Sequence, residues 1–346
     1  MQLPDFFGLD IGNSSIKVAE IDRKSPDHAK LVAFSSIPTP PGLINSEDKM
    51  AKDRLAGKIK DLLSSSKIKT RKCVAALPEA SIFTRLITVP EVDEAKLEEL
   101  IYWEARQYIP LPLAEVQLDY IPVATKENQG KSMTQLLLVA APKNLVNRYI
   151  ETSEMAGLEL LALETETIAT SRAVTFATGA TDPIMVLDFG SNGTDMSVIT
   201  GGKMIFSQSL STGSDAMTKA IASDFNLELS QAEQYKVAYG LDKTQAEGKI
   251  YKSIEPIIQI IADEVNRTLN FFRTQLTDTV PKMIYMVGDG AKLKGLDQYL
   301  SVKTGVTASI INPTEKIEIP KNVLPEVQQQ SMVGFTVAIG LGLKIQ

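Results

Sequence analysis

The chain has one cysteine, Cys73, and one histidine, His28, among 346 residues. A single thiol excludes an internal disulfide and a thiol-rich metal site, and no Cys-His or Ser-His pair is available except one built on His28. Cys73 stands in "KCVAALP", which reads as a buried strand, and His28 in the polar turn "RKSPDHAK" reads as solvated. Basic residues are also scarce. There are 36 Lys and Arg against 42 Asp and Glu, a formal charge of −6, with no long block of one sign. Nucleic acid is therefore not an expected partner, because phosphate neutralisation needs a basic footprint. Long apolar runs are missing too: the cleanest, Leu136 to Ala141, stops at Pro142, and the opening "MQLPDFFGLD" has no basic segment. Neither a membrane span nor a signal peptide is expected. One free thiol suits a cytoplasmic location. No Walker lysine motif is present.

What is there is an ordinary globular composition, 44% apolar and 23% charged, in a chain long enough for two lobes or a domain with an insertion. Near the start, "FGLDIGNSSIKVAEID" alternates Phe7, Leu9 and Ile11 with Gly8, Asp10 and Gly12. A period of two places Asp10 on the face opposite the large apolar side chains. The pattern returns in "IMVLDFGSNGTDMSVIT" from Ile184, and Asp188 follows Asp10 by about half the chain. Self-similarity at that period suggests two related lobes.

The turn after each aspartate is small and polar. Gly12, Asn13, Ser14 and Ser15 in the first, and Gly190, Ser191, Asn192, Gly193 and Thr194 in the second, leave backbone N–H groups uncovered, an anion-binding arrangement. An aspartate beside a phosphate would repel it by about 3 kcal/mol at about 6 Å and an effective dielectric near 20. A divalent cation removes the conflict, since Mg²⁺ is held by one or two carboxylates plus substrate phosphates. The plainer alternative is that Asp-x-Gly marks a hairpin turn. Two copies at half-chain spacing favour the phosphate reading.

A third element, "KMIYMVGDGAKLKGLDQYL", runs an apolar strand from Met283 to Val287 into Gly288 and Gly290 and then a helix, with Lys292 and Lys294 nearby. It lacks a full dinucleotide fingerprint.

With three turns in this order the chain resembles the superfamily of actin, sugar kinases and heat-shock chaperones. The resemblance implies an α/β, two-lobed, ribonuclease-H-like duplicated ATPase fold around an ATP cleft. Asp10 and Asp188 would hold Mg²⁺ through water, and the two turns, with Lys17, would bind phosphates. In "LSTGSDAMTKAIA", Gly213 and Ser214 would lie near phosphate and ribose, and Gly288, Gly290 and Ala291 would form the adenosine turn. In "AEQYKVAYG", Glu233 and Lys236 would reach the adenosine, or else form a solvated helix face. "LETETIATSRA" offers Glu164 and Glu166, of which register on the family pattern favours Glu166 as the catalytic acid facing the γ-phosphate and water. Both could instead be helix-start acids favoured by the dipole. Asp289, in "GDGA", stands where the family has a run of glycines; aimed at a phosphate it would weaken ATP binding, aimed at solvent it would change nothing.

Within that superfamily, "VPEVDEAKLEELIYWEARQYIPLPLAEVQLDYIPV" and "ADEVNRTLNFFRTQL" resemble the PilM family of type IV pilus assembly proteins, "EARQYIPLPLAEVQLDY" most specifically. The resemblance divides the chain into the first part of lobe I (1–84), an inserted subdomain (85–158), the rest of lobe I with a first connecting helix (159–182), lobe II (183–330), and a second connecting helix returning to lobe I (331–346). It implies a cytoplasmic, ATP-binding scaffold, at most a slow Mg²⁺-dependent ATPase. Its partner would be the N-terminal cytoplasmic peptide of the membrane protein PilN, bound in a groove between lobe I and the insert. The pilus motor ATPases and self-association stand as further options. The division protein FtsA places its insert similarly but continues into an amphipathic membrane tail; the stop at "LGLKIQ" favours a protein held at the inner face of the membrane through partners. The other readings are a sugar-kinase-type phosphotransferase, for which no acid stands out as general base, and an actin-like filament protein.

Inside the insert, Leu97, Leu100, Ile101, Ala105 and Tyr108 follow helical spacing after Asp93, a candidate N-cap, and Pro110 and Pro112 end the helix. "EVQLDYIPVAT" and "SMTQLLLVAAP" read as strands flanking the turn "KENQGK". Trp103 is expected in the core rather than as a surface anchor.

Overall fold

The computed structural model describes residues 5–345 apart from 26, 45, 47, 129 and 130, so the tip of the "KENQGK" turn and the last residue lie outside the described residues. Strands β1 (Phe7–Ile11), β2 (Ser15–Ser25) and β3 (His28–Pro38) form an antiparallel meander. Helix α1 (Lys49–Ser65), started by the Asp48 carboxylate accepting from the Met50 N–H, crosses over to β4 (Lys72–Leu77), which lies parallel to β1. The helix is what a parallel connection requires. Cys73 is buried in β4 and His28 is exposed, as the sequence implied.

An insert follows: β5 (Phe83–Pro90), α2 (Glu94–Tyr108), β6 (Val116–Asn128) and β7 (Lys131–Pro142), with the three strands antiparallel in the order β5-β7-β6. One sheet face packs Leu136 and Leu138 against Ile101 and Ala105 of α2, while Leu137, on the other face, joins the core of the second lobe. The run Leu136–Leu138 is apolar without alternation because the central strand is covered on both faces. Asp93 occupies the N-cap position of α2 without a side-chain cap bond. Trp103, expected inside, is 54% exposed and stacks with Arg106. Ile101 and Ala105 fill the buried face, and Trp103, two residues from each, projects from the opposite side of the helix.

The chain continues through α3 (Lys143–Met155), β8 (Glu159–Thr165), parallel to β4, and α4 (Glu166–Thr178). Leu145 and Tyr149 of α3 are buried with α1 in the first lobe's core, although the sequence grouped this helix with the insert. The first lobe's sheet has the order β3-β2-β1-β4-β8.

The second lobe repeats this plan. Strands β9 (Ile184–Phe189), β10 (Thr194–Thr200) and β11 (Lys203–Leu210) make the meander, and α5 (Ser214–Phe225), α6 (Leu229–Tyr239) and α7 (Lys249–Gln275) make the crossover. Then β12 (Met283–Val287) pairs parallel to β9, and β13 (Ala308–Ile310) follows α8 (Leu296–Thr304). The order β11-β10-β9-β12-β13, with the same strand senses, matches the first sheet. In α7, Ile250, Ile254, Ile258, Ile261, Val265, Leu269 and Phe272 recur at helical spacing and are buried in the core.

After α9 (Leu324–Gln329), α10 (Thr336–Gly342) returns to pack on β1, β2 and α4. It crosses α4 so closely that a Cβ on Gly340 would lie 1.9 Å from the Ala169 carbonyl oxygen. Among the described residues, no helix is long and apolar enough to cross a membrane.

Candidate functional site

The sheet duplication sets two equivalent hairpins face to face. In the first, Asp10 on β1 pairs in register with Lys17 on β2; in the second, Asp188 on β9 pairs with Asp195 on β10. Both turns close with the same bond, Gly12 N–H to the Ser15 carbonyl at 3.1 Å and Gly190 N–H to the Gly193 carbonyl at 2.9 Å. Among the described residues the N–H groups of Asn13, Ser14, Ser191 and Asn192 find no protein acceptor, so each hairpin presents free donors. These turns, Asp10, Lys17, Asp188, Glu166 and Asp289 all line one cleft between the lobes.

The cleft is rich in buried carboxyl groups. Burial pushes Asp10 up to about 7, against the pull of Lys17, with Asp188 and Asp289 adding to the rise. Burial likewise lifts Asp188 to about 6, opposed by Lys17 and by the Thr170 hydroxyl, which donates at 3.3 Å. Glu166, the first residue of α4, accepts the Glu79 N–H at 3.2 Å, and burial together with Asp195 and Asp10 holds it well above the usual carboxylate range. Removing charge from water without pairing it costs free energy, so these groups keep their protons to higher pH than exposed carboxyls do.

Asp195 and Glu79 were missed by the sequence reading. Burial raises Asp195 to about 7, and Asp188 adds to the shift. The available signal was spacing, because Asp195 follows Asp188 by the same interval as Lys17 follows Asp10. Glu79, buried after β4, accepts from Thr167 at 2.6 Å and from Ser207 of the second lobe at 2.5 Å, and it carries a raised pKa caused first by burial. No local pattern marks it.

Asp289 stands half-exposed in the lining of the cleft. Its carboxylate pairs with Lys17 at 2.9 Å and Lys292 at 2.8 Å, and the two ammonium groups hold it below its ordinary range although burial opposes them. The Lys17 pair spans the two lobes across a cleft of about 260 Å³, below the roughly 300–1,000 Å³ usual for a small-molecule pocket. Next to it Gly288 has φ 82°, and a Cβ there would sit 2.3 Å from Asp188 Oδ1, so only glycine brings this turn onto the aspartate.

The remaining residues named from the sequence do not line the cleft themselves. Thr194 is fully buried and its hydroxyl donates to the Thr212 carbonyl. Ser214 and Gly213 start α5, whose first N–H groups bond the carbonyls of Gly190 and Ser191. Lys236 is buried, not solvated: it donates to Ser214 Oγ at 2.6 Å and Thr218 Oγ1 at 2.9 Å and pairs with the half-exposed Glu233 at 2.7 Å. Gly290 and Ala291 are buried, with Gly290 packed against Phe189 and Ser214. Glu164 lies outside the cleft, paired with Arg172 and Lys344.

A family model described as type IV pilus assembly protein PilM matches residues 8–346. The chain belongs to the PilM family. A chain of the solved PilM-PilN type IV pilus biogenesis complex is 32% identical with a TM-score of 0.85, and 98% of each chain is covered. The ethanolamine utilization protein EutJ from Carboxydothermus hydrogenoformans is 16% identical with a TM-score of 0.57, covering 99% of this chain and 90% of that one. MreB5 of Spiroplasma citri, solved bound to ADP, is 15% identical with a TM-score of 0.55, covering 97% of this chain and 94% of that one. These likenesses identify the fold as two-lobed and actin-like. Membership of the PilM family places the protein in type IV pilus assembly and favours that role over a sugar kinase or a filament-forming protein.

Proposed function

We propose that this protein is an ATP-binding scaffold of the pilus machine that captures the N-terminal cytoplasmic peptide of PilN and is held through it at the inner face of the membrane. The observation that carries the nucleotide half is the pair of facing hairpins with free N–H donors and buried aspartates. Their donor set fits a divalent cation shared with phosphates. Among the described residues no three acidic, His or Cys side chains are grouped tightly enough to hold a metal by themselves, yet buried carboxyls stand on both sides of the cleft.

On this reading Asp10 and Asp188 would hold Mg²⁺, which screens the phosphates from the acids. The turns at Gly12–Ser15 and Gly190–Thr194 and the Lys17 ammonium would bind the phosphates. Gly213, Ser214, Glu233, Lys236, Gly288, Gly290 and Ala291 would border the nucleoside. Glu166 would orient water, and its raised pKa suits a slow ATPase at most.

For the peptide, a groove of about 760 Å³ runs between the insert at Leu111, Ala114 and Glu115 and the start of α3 at Lys143 and Arg148. An extended peptide there would draw on backbone hydrogen bonds for affinity and side-chain pockets for specificity. The pilus motor ATPases would then meet a scaffold whose lobes are ordered by nucleotide. The test is fluorescence anisotropy of a labelled PilN N-terminal peptide with and without ATP and Mg²⁺. Saturable binding that Ala114→Trp abolishes, in a variant with unchanged circular dichroism, supports the scaffold role. No binding in either nucleotide state overturns it.

A further inference from the structure

A second cavity, of about 600 Å³, shares no lining residue with the cleft. It lies where the first lobe, the insert and the second lobe meet. Arg23 of β2 and residues of α4 form one side, Ile121 and Leu137 of the insert another, and the turn from Gly202 to Met204 a third. Ile121, Leu137, Ile168, Phe176 and Met204 give it apolar walls.

Its charged residues are one-sided, with Arg23, Arg172, Lys203 and Lys316 against Asp27 alone, in a chain whose net charge is −6. For Arg172, Lys203 and Lys316 the protein partners do not balance the charge. Arg172 pairs with Glu164, but the same carboxylate also takes Lys344. Lys203 donates to the neutral carbonyls of Pro122 and Val123 at 3.1 and 3.0 Å. Lys316 makes no ion pair among the described residues; its ammonium packs over Gly179 at the C-terminal end of α4. Burial and the neighbouring Arg172 charge hold Arg23 below its ordinary pKa, with Asp27 opposing them. The Thr175 hydroxyl, also in the cavity wall, is buried without a partner. Like charges gathered at a half-buried site and an unused hydroxyl are the complement of an anion, and the volume is that of a small-molecule pocket.

We propose that this cavity binds a small organic anion, with an aromatic or branched apolar body against Ile168, Phe176 and Met204 and its acidic group among Arg172, Lys203 and Lys316. The proposal goes beyond the scaffold role and does not rest on it. The ligand's walls come from both lobes and the insert, so occupancy links the positions of all three.

The test uses two fluorescent probes on the full chain, anilinonaphthalenesulfonate and its neutral analogue N-phenylnaphthylamine. The sulfonate should bind one-to-one and at least about tenfold more tightly than the neutral ring system, since a hydrogen-bonded charge contributes that much. Lys316 and Lys203 are exposed, so Lys316→Glu and Lys203→Gln should fold as the parent does. Together they should remove most of the sulfonate's advantage and leave the neutral probe's affinity unchanged. Equal affinity for the two probes, or an unaltered sulfonate affinity in the double variant, would each overturn the proposal.

Discussion

Asp10→Asn removes a charge that burial opposes, and it should make the ligand-free protein more stable, most of all at alkaline pH. The Asp10 carboxyl is pushed from its ordinary 3.8 to about 7. Between those values the unfolded chain has released a proton that the folded chain still holds, so stability is lost as pH rises through that window. At about 1.36 kcal/mol per pKa unit, the loss between about pH 5.5 and about pH 8 comes to about 2 kcal/mol. Asparagine does not titrate, so the variant should gain about 2 kcal/mol on the parent over that interval. With an unfolding entropy of about 2.1 cal/mol/K per residue and 346 residues, the gain amounts to about 3 °C in Tm. The Asp10 charge also raises Glu166, so its removal relieves a second group in the same direction.

The comparison across pH cancels whatever the amide changes in packing, because that contribution is the same at both values. Urea unfolding of parent and variant at about pH 5.5 and about pH 8 measures it, and calorimetry with ATP and Mg²⁺ should show that the more stable variant has lost nucleotide binding, the trade expected of a functional buried charge. A stability difference that does not change with pH would refute the reasoning.

Asp289→Ala removes the partner that engages Lys17 across the cleft, and ATP should bind about fivefold more tightly in calorimetry, since a half-exposed ion pair is worth up to about 1 kcal/mol; weaker binding would mean that the pair organises the cleft instead of obstructing it. Gly340→Val brings side-chain atoms onto the Ala169 carbonyl, where even a Cβ would stand at 1.9 Å, and forcing α4 and α10 apart should cost about 1–3 kcal/mol in thermal unfolding, whereas an unchanged Tm would show that the helices separate freely.

The hairpins could be found in the sequence because each compresses its chemistry into a short stretch: an apolar strand, an aspartate, a glycine and small polar residues. Their recurrence half a chain apart foretold the repeated strand order. Asp195 was legible only through register, since it becomes a neighbour of Asp188 when the hairpin closes. The Lys17–Asp289 pair joins residues 272 positions apart, and no local pattern encodes a contact made by lobe closure. Trp103 was misplaced because a lone tryptophan was expected to be buried, although its position lies about 200° around the helix from Ile101, opposite the face that Ile101 and Ala105 bury. The helix α3 follows the insert directly in sequence, so only its burial against α1 shows which core it serves.

Duplicated backbones with unlike charges give the cleft its bias. The position opposite the aspartate carries Lys17 in the first lobe and Asp195 in the second, on the same hairpin geometry. The first hairpin thus brings a counter-charge that only partly offsets the burial of Asp10, while the second adds two acids near Glu166, and all four carboxyls rise in pKa. The Lys17 charge is in turn engaged by Asp289. On the proposed function, an incoming triphosphate would find free N–H donors on both turns but an unbalanced acidic wall on the second-lobe side. On the proposed reading, the divalent cation is then a condition for nucleotide entry while those acids are ionised, rather than an accessory to hydrolysis, because it offsets that wall at the distance where the phosphates must sit. Protonation of the same acids is the alternative means of neutralising them, so at mildly acidic pH the dependence of binding on the cation should weaken, the phosphates then facing carboxylic acids instead of carboxylates.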